Sequence, residues 1–507
     1  MNAAANGLCI SDLIQQAMLR YGDATAIITT KEHLSYRQLD ERSRQLAAYL
    51  QANGVDRGHR VALHLRNGVE YVIADLAILK LNAVKVPLNE LMAPSELEYC
   101  LAHSGASAIV SHASLPMPSG GTEHLTVRIS VADEKPARAD WTSWENASLN
   151  RRAFEGARPQ PDDIALIAYT GGTTGRPKGV QHEQHRLALN LLAHIIFGDI
   201  RADEVMLLTT PLPHSAGYHL LACLVQGGTI VLAPRYDPAT FVALVEKYRV
   251  TWTFAVPTML YRLFDYLLEL EQRPDCLRTI VYGAAPMNKE RLTEGLDLLG
   301  PIFLQLFGQT ECPNYITTLS KPDHLKSELL ASCGRAVSML DLRIRKADGS
   351  FAEPGEVGEV EVLSPYSLTE YYMDPVATKS AIKHGWLSTG DLGYLDQSRY
   401  LFLVDRAKDM IISGGMNVYC VEVEAALRQH KLVRDAAVVG IADADWGEAV
   451  IAFVTATPHI SEEDVRAFAK TLLSSYKVPK RVIVVDELPV TKFGKIDKKA
   501  LRSSICR

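Results

Sequence analysis

The chain has 507 residues, 47% of them hydrophobic and 22% charged, too long for one hydrophobic core and too apolar for a disordered polymer, so two or more folded domains are expected. The formal net charge is -6 and no run of Lys and Arg is present, which argues against a nucleic-acid or anionic-membrane surface but allows a local phosphate pocket. Eight cysteines (Cys9, Cys100, Cys223, Cys276, Cys312, Cys333, Cys420 and Cys506) are scattered without a close pair, a pattern of reduced thiols rather than of a disulfide framework or zinc site.

The first residues reach Asp12 before any basic side chain, unlike a secretory signal, and no apolar stretch is long enough to span a bilayer. A soluble cytoplasmic protein without a transmembrane segment is expected. Ser35 and Gln38 form a capping-box pair with Leu34 and Leu39 as its staple. Leu39, Leu46 and Leu50 share a helical face, and Asn53-Gly54 supplies a stop. Arg60 to Leu65 alternates like a strand, and Val69 to Leu81 is a helical run ending at Asn82, which tolerates the left-handed conformation. This alternation argues for an α/β fold with largely parallel sheets.

Between about Ser111 and Asp163, Pro, Ser, Gly and charges break the pattern, which reads as surface connections. A second α/β stretch runs from Ile164 to about Ser320. Arg335 to Val362 is strand-rich, with turn signals at Asp348-Gly349 and Pro354-Gly355, and suggests a small antiparallel unit. The last segment restarts with a strand at Met410–Ile412, a Gly414-Gly415 turn and a helix from about Val421. Ser461 and Asp464 then open a helix with Val465, Phe468 and Leu472 on one face.

The strongest chemical signal is Tyr169-Thr-Gly-Gly-Thr-Thr-Gly-Arg-Pro-Lys-Gly-Val180. An apolar strand from Ile164 feeds a loop rich in glycine and threonine, whose backbone N–H groups and hydroxyls can approach phosphate oxygens while Lys178 adds charge. It is not a Walker A loop, because a proline precedes the lysine and no Ser or Thr follows it. A flexible surface turn is the alternative for this loop taken alone.

Its companions are Pro211-Leu-Pro-His214, Gly283-Ala-Ala-Pro286, Phe307-Gly-Gln-Thr-Glu311, Ser388-Thr-Gly-Asp391, Val404-Asp-Arg406, Ser413-Gly-Gly415, Trp446-Gly-Glu448 and Pro489-Val-Thr-Lys-Phe-Gly-Lys495. In this order they resemble the adenylate-forming superfamily of acyl-CoA synthetases, peptide-synthetase adenylation domains and luciferases. The resemblance covers nearly the whole chain. It implies a large α/β domain over 1–407, of mixed parallel sheets flanked by helices with a small antiparallel β unit. A small mobile α+β lid over 408–507 would follow, hinged at Lys408.

The resemblance also implies the chemistry. A carboxylate is a poor acyl electrophile, and attack on the α-phosphate of ATP replaces its oxide with AMP, so positioning and charge neutralisation should dominate. The loop from Thr170 through Gly171, Gly172, Thr173, Thr174 and Gly175 to Lys178 would hold the β- and γ-phosphates. Thr310 would contact the α-phosphate, and Glu311 would bind Mg²⁺, a hard cation suited to one carboxylate plus phosphates. Phe307 would lie against adenine beside Gly283 and Ala284, and Asp391 would accept the ribose hydroxyls with Arg406 assisting. Lys495 would reach the carboxylate and α-phosphate oxygens as the catalytic cation. After the lid swings, Gly415 would line a pantetheine tunnel and Trp446 would flank it, packing of the small domain being the other role open to Trp446. Lys477 and Lys480 would meet CoA phosphates or be merely solvated.

Three positions depart from the superfamily's habit. Gly171 stands where serine is frequent, and Ala336 and Cys420 where proline is. The last two should touch local stability more than chemistry.

His214, Ser215, Ala216 and Gly217 lie where the acid pocket begins in the superfamily, His214 resembling its gating residue. No aspartate is present there to pair a substrate ammonium, so an ordinary carboxylic acid, fatty or aromatic, is favoured over an α-amino acid. Gly217, Tyr218, Leu220, Gly283 and Pro313 are expected to shape the pocket. About a dozen residues follow Lys495, too few for a fused carrier domain. Free coenzyme A is the expected acceptor, with a separate carrier protein as the alternative. An oxygen-using luciferase and a non-catalytic relative are two further readings.

Overall fold

Local chemistry sets the element ends. Ser35 Oγ accepts the Gln38 N–H at 3.2 Å and Gln38 Oε1 accepts the Ser35 N–H at 2.9 Å, opening the Tyr36–Ala52 helix that buries Leu39, Leu46 and Leu50. The Val69–Leu81 helix ends at Asn82 with φ 51°, as that residue's tolerance of the left-handed region predicts. Only Glu70 and Lys80 of this helix are not buried, and its one buried charge, Asp75, is paired with Lys85 at 2.7 Å. The structure, a computed structural model, describes all residues except 1–6, 119, 133–139, 150–153, 171–176, 271–273, 407–408, 414–415, 444–445, 457–459, 492–495 and 506–507. Two compact units result: Met1–Asp341 with Leu363–Gly385, and Leu342–Val362 with Trp386–Arg507.

The first unit holds two large sheets. Among the described residues, one has nine strands in the order Arg335–Ala336, Cys312–Leu319, Phe303–Gln309, Thr279–Tyr282, Trp252–Ala255, Val205–Leu208, Thr229–Leu232, Thr25–Ile28 and His33–Ser35. The strands from Phe303–Gln309 to Thr25–Ile28 run parallel, and antiparallel partners close both edges. The helices that carry Phe241, Leu260 with Phe264, and Leu292 cover one face, packing on Ile280 and Phe303 of the strands. The other sheet has eight described strands: Glu370–Tyr371, Lys178–Glu183, Ile164–Thr170, Val84–Pro87, Arg60–His64, Ala108–His112, Val127–Val131 and Thr142–Ser143.

Two expectations about connections need correction. Val127–Val131 is not a surface connection but a strand in parallel register with Ala108–His112, its Val127, Ile129 and Val131 buried. Turn-rich flanks conceal so short a strand. Arg335–Ala336 does not join the small antiparallel unit; it pairs with Thr317 and Thr318 at the edge of the nine-stranded sheet.

In the second unit, Gly358–Leu363, Trp386–Leu395 and Leu401–Arg406 pair antiparallel in sequence. A further sheet contains Met416–Val418, Ile411–Ser413, Gly447–Ala456 and Val433–Asp443, with Arg481–Val484 parallel to Gly447–Ala456. Val423, Leu427, Val438, Val450, Val465 and Val482 form its core against the Cys420–Arg428 and Glu462–Leu472 helices. The Ser461 and Asp464 capping box is formed as expected. This is the α/β architecture with a smaller α+β C-terminal part that the sequence leads one to expect.

Candidate active site

Open parallel sheets bind ligands outside the carboxyl ends of their strands, and the expected residues of the nine-stranded sheet gather there. Gly283 and Ala284 directly follow Thr279–Tyr282, while Thr310 and Glu311 form the tip of the hairpin between Phe303–Gln309 and Cys312–Leu319. Phe307 sits near the end of the neighbouring strand. A Cβ on Gly283 would lie 2.4 Å from the Leu306 carbonyl oxygen, so only glycine permits this approach of two strand ends. Ala284 holds φ 67°, a left-handed conformation unfavourable for a residue with a Cβ.

The hairpin tip is fixed by two residues that sequence reasoning missed. His182 Nε2 donates to the Thr310 carbonyl at 2.8 Å. Burial pulls the His182 imidazole down to about 4, so it stays neutral. Tyr371 donates its hydroxyl to Glu311 Oε1 at 2.8 Å, and the Leu368 N–H reaches the Glu311 carbonyl at 2.6 Å. Burial, then the adjacent carboxylate, push the Tyr371 phenol well up, which keeps it a donor. The Tyr371 ring also carries Lys178, whose Nζ lies 4.8 Å from its centroid. Thr170 pairs with Lys178 in the antiparallel register that closes the Gly-rich loop. Gly171, Gly172, Thr173, Thr174 and Gly175 lie outside the described residues.

One tyrosine therefore gathers the lysine that follows the loop and the carboxylate of the other sheet. Glu311 is half-buried with its second oxygen uncommitted to Tyr371, and no cluster of three or more His, Cys, Asp or Glu occurs among the described residues. A single carboxylate of this kind suits Mg²⁺, which takes one or two carboxylates and completes its shell with phosphates and water.

His214 lies in the Leu212–Ala216 turn beyond Val205–Leu208. Asn89 holds it: Asn89 Oδ1 accepts the Leu91 N–H at 2.8 Å, which orients the amide so that Nδ2 donates to His214 Nε2 at 2.8 Å. Its proton is thereby kept on Nδ1. Asn67 anchors the same turn, accepting the Leu212 N–H at 3.0 Å and donating to the Thr210 carbonyl at 2.9 Å. Gly217 and Leu220 are buried, Tyr218 half-buried and Pro313 buried.

Within the second unit, Asp391 and Arg406 are register partners on adjacent strands, with Arg406 Nε 2.6 Å from Asp391 Oδ1. Asp391 is buried, whereas the Arg406 side chain is 43% exposed, so the pair is anchored on its acidic side. Asp405 accepts the Cys420 N–H at 2.5 Å, bonding the first turn of the Cys420–Arg428 helix. A proline at that position would have no N–H to give, so cysteine contributes a bond that the superfamily's usual residue lacks. Trp446 does not pack into the core: it is 40% exposed, and Lys480 Nζ stands 3.6 Å from its ring centroid. Lys477 is held by Glu422 at 2.6 Å. Lys408, Gly415 and Lys495 lie outside the described residues.

A fold of parallel sheets carrying a Gly-rich loop, a Thr-Glu hairpin and an Asp–Arg pair defines an adenylate-forming enzyme. Residues 14–372 match the AMP-binding enzyme family and residues 422–495 its AMP-binding enzyme C-terminal domain. The medium/long-chain-fatty-acid–CoA ligase FadD8 of Mycobacterium tuberculosis is 32% identical over 97% of this chain and 89% of its own. A feruloyl-CoA synthase of Amycolatopsis is 34% identical over 94% of this chain and 95% of its own. Among solved structures, the amide bond synthetase McbA of Marinactinospora thermotolerans shares a TM-score of 0.87 and 30% identity, with 98% of this chain and 99% of that one covered. The chain belongs to the AMP-binding enzyme family, within the adenylate-forming superfamily that its motifs resemble.

Proposed function

We propose that the protein is an AMP-forming acid–thiol ligase that adenylates a fatty or aromatic carboxylic acid and passes the acyl group to coenzyme A. A carboxylate oxygen bonds to the α-phosphorus of ATP as pyrophosphate leaves. The thiol of CoA then attacks the acyl carbon and AMP departs. The observation that carries this reading is the convergence of Lys178 and Glu311 on Tyr371, which assembles a cation and a carboxylate suited to Mg²⁺ at one strand end.

In this reading Lys178 and the Thr170–Gly175 loop bind the terminal phosphates, Thr310 meets the α-phosphate, and Glu311 with phosphate oxygens holds Mg²⁺. The ion supplies charge neutralisation when bound. Tyr371 keeps Glu311 oriented, and His182 keeps Thr310 in place through its backbone. Gly283, Ala284 and Phe307 are assigned to adenine, and Asp391 with Arg406 to ribose. Lys495 neutralises the two anions as they meet, from a C-terminal domain over 408–507 that turns at Lys408, while Gly415 and Trp446 serve the thiol arm. The exposed Trp446 ring under Lys480 supports a surface role over a packing one.

Coenzyme A as acceptor is supported by relatives that carry it in their names. A cytoplasmic setting is supported by free thiols at all the described cysteines, and no described helix is long and apolar enough to cross a membrane. The test is Lys495→Ala assayed for acyl-adenylate. Loss of a cation aimed at the reacting anions is expected to lower its formation about 10²- to 10³-fold with the fold retained. Adenylation at the wild-type rate would sink the assignment.

A further inference from the structure

The turn that bears His214 also carries a hydrogen-bond chain whose direction can be worked out link by link. His194 is fully buried, and its Nδ1 lies 2.7 Å from the Asn190 carbonyl, which can only accept, so Nδ1 carries the proton. Burial pulls His194 down to about 4, so the ring is neutral and its Nε2 has only a lone pair to offer. The partner at 2.8 Å must then be the amide nitrogen of Asn314, which turns Asn314 Oδ1 toward Ser215. That oxygen only accepts, so Ser215 Oγ gives it its proton at 2.7 Å.

The chain is held rigidly. Asn314 sits at φ 63°, and a Cβ on the facing Gly308 would come 2.6 Å from the Asn314 backbone, so the glycine is what lets the asparagine take this place. The Ser215 carbonyl accepts from His219 Nδ1 at 2.8 Å, which fixes the serine backbone from behind. Ser215 thus has its one proton committed inward, while the residue as a whole remains half-buried rather than sealed. Toward a ligand it is an acceptor and nothing else. Beside it, Tyr218 is half-buried and stacked on His194 at 5.7 Å and 21°, a flat wall one helical step away.

We propose that Ser215 is a specificity-determining residue that accepts a hydrogen bond from the acid, so that the substrate is an aromatic acid bearing a hydroxyl or amino donor rather than an unfunctionalised fatty acid. The inference rests on the proposed function in one respect, that the His214–Tyr218 segment faces the acid. An aromatic ring lies flat against Tyr218, and its donor satisfies an oxygen that would otherwise lose water on binding. Removing or methylating that donor leaves the Ser215 lone pairs dry and unmatched.

The test compares cinnamic acid with its ring-hydroxylated, ring-amino and ring-methoxylated forms, the corresponding benzoic acids, and decanoic acid. Each is supplied with ATP, Mg²⁺ and CoA to the wild-type protein and to Ser215→Ala and Ser215→Thr, and kcat and KM are read separately. The wild type is expected to favour a donor-bearing acid over its methoxylated partner by about tenfold or more in kcat/KM. Ser215→Ala should bring that ratio near one, and Ser215→Thr, which keeps the hydroxyl, should restore it. Decanoic or unsubstituted acids used as well as donor-bearing ones, or a ratio unchanged in Ser215→Ala, would overturn the inference while leaving ligase activity intact. Should Ser215→Ala not fold, the wild-type ranking and Ser215→Thr decide. No acyl-adenylate from any acid would instead remove the proposed function, and this inference with it.

Discussion

Acidification should unfold the first unit well before its carboxylates titrate. Burial holds His182, His194 and His324 down to about 4, against the ordinary 6.5, and holds His219 well below that ordinary value too. Between pH 6.5 and 4 the unfolded chain binds protons that the folded chain refuses. The stability these imidazoles confer is therefore complete above 6.5 and is lost as pH falls toward 4. Holding one imidazole from 6.5 down to about 4 corresponds to about 3 kcal/mol. Several together match the whole folding free energy of a domain, about 5–15 kcal/mol.

Urea midpoints measured from pH 7 to pH 5 should fall steeply. Hydrogen exchange should report the loss at Trp252–Ala255 and Cys312–Leu319, which pack near this group. His324→Gln should lower the slope by about one proton, about 1.4 kcal/mol per pH unit. A flat midpoint across pH 7 to 5, or an unchanged slope in the variant, would refute the reasoning.

Two further outcomes are expected. Tyr371→Phe deletes one hydrogen bond to the Glu311 carboxylate at 2.8 Å, and should lower the rate of adenylation about tenfold while the melting temperature moves little; steady-state kinetics at saturating acid checks it. Cys420→Pro removes the N–H that Asp405 accepts and should cost about 1–3 kcal/mol in the C-terminal sheet, seen as faster hydrogen exchange across the Cys420–Arg428 helix. A gain in stability there would show that the rigid ring outweighs the bond.

What the sequence made legible was local. The ends of Val69–Leu81 and Glu462–Leu472 follow from Asn82 and from the Ser461–Asp464 pair, because caps act over three or four residues. The order of motifs was equally plain, and it leads to Gly283, Thr310, Glu311 and Asp391 without any structure. Tyr371 was not legible. It meets Glu311 across 60 positions, and only because Glu370–Tyr371 pairs with the strand that starts at Lys178. Asn89, Asn314 and His182 were hidden for the same reason: each is an ordinary polar residue until a distant turn is folded onto it. Asn314 alone carries a signal in the sequence, a polar side chain inside the apolar run Cys312-Pro313-Asn314-Tyr315-Ile316, whereas His182 lies among Gln181, Glu183 and Gln184 and carries none.

The central claim is tested most directly by mass spectrometry of a panel of acids with ATP and Mg²⁺, with and without CoA. An AMP-forming acid–thiol ligase yields acyl-adenylate and pyrophosphate without CoA, and acyl-CoA with AMP when CoA is added. Release of ADP and phosphate, or an adenylate that reacts with added amines but never with CoA, would contradict it.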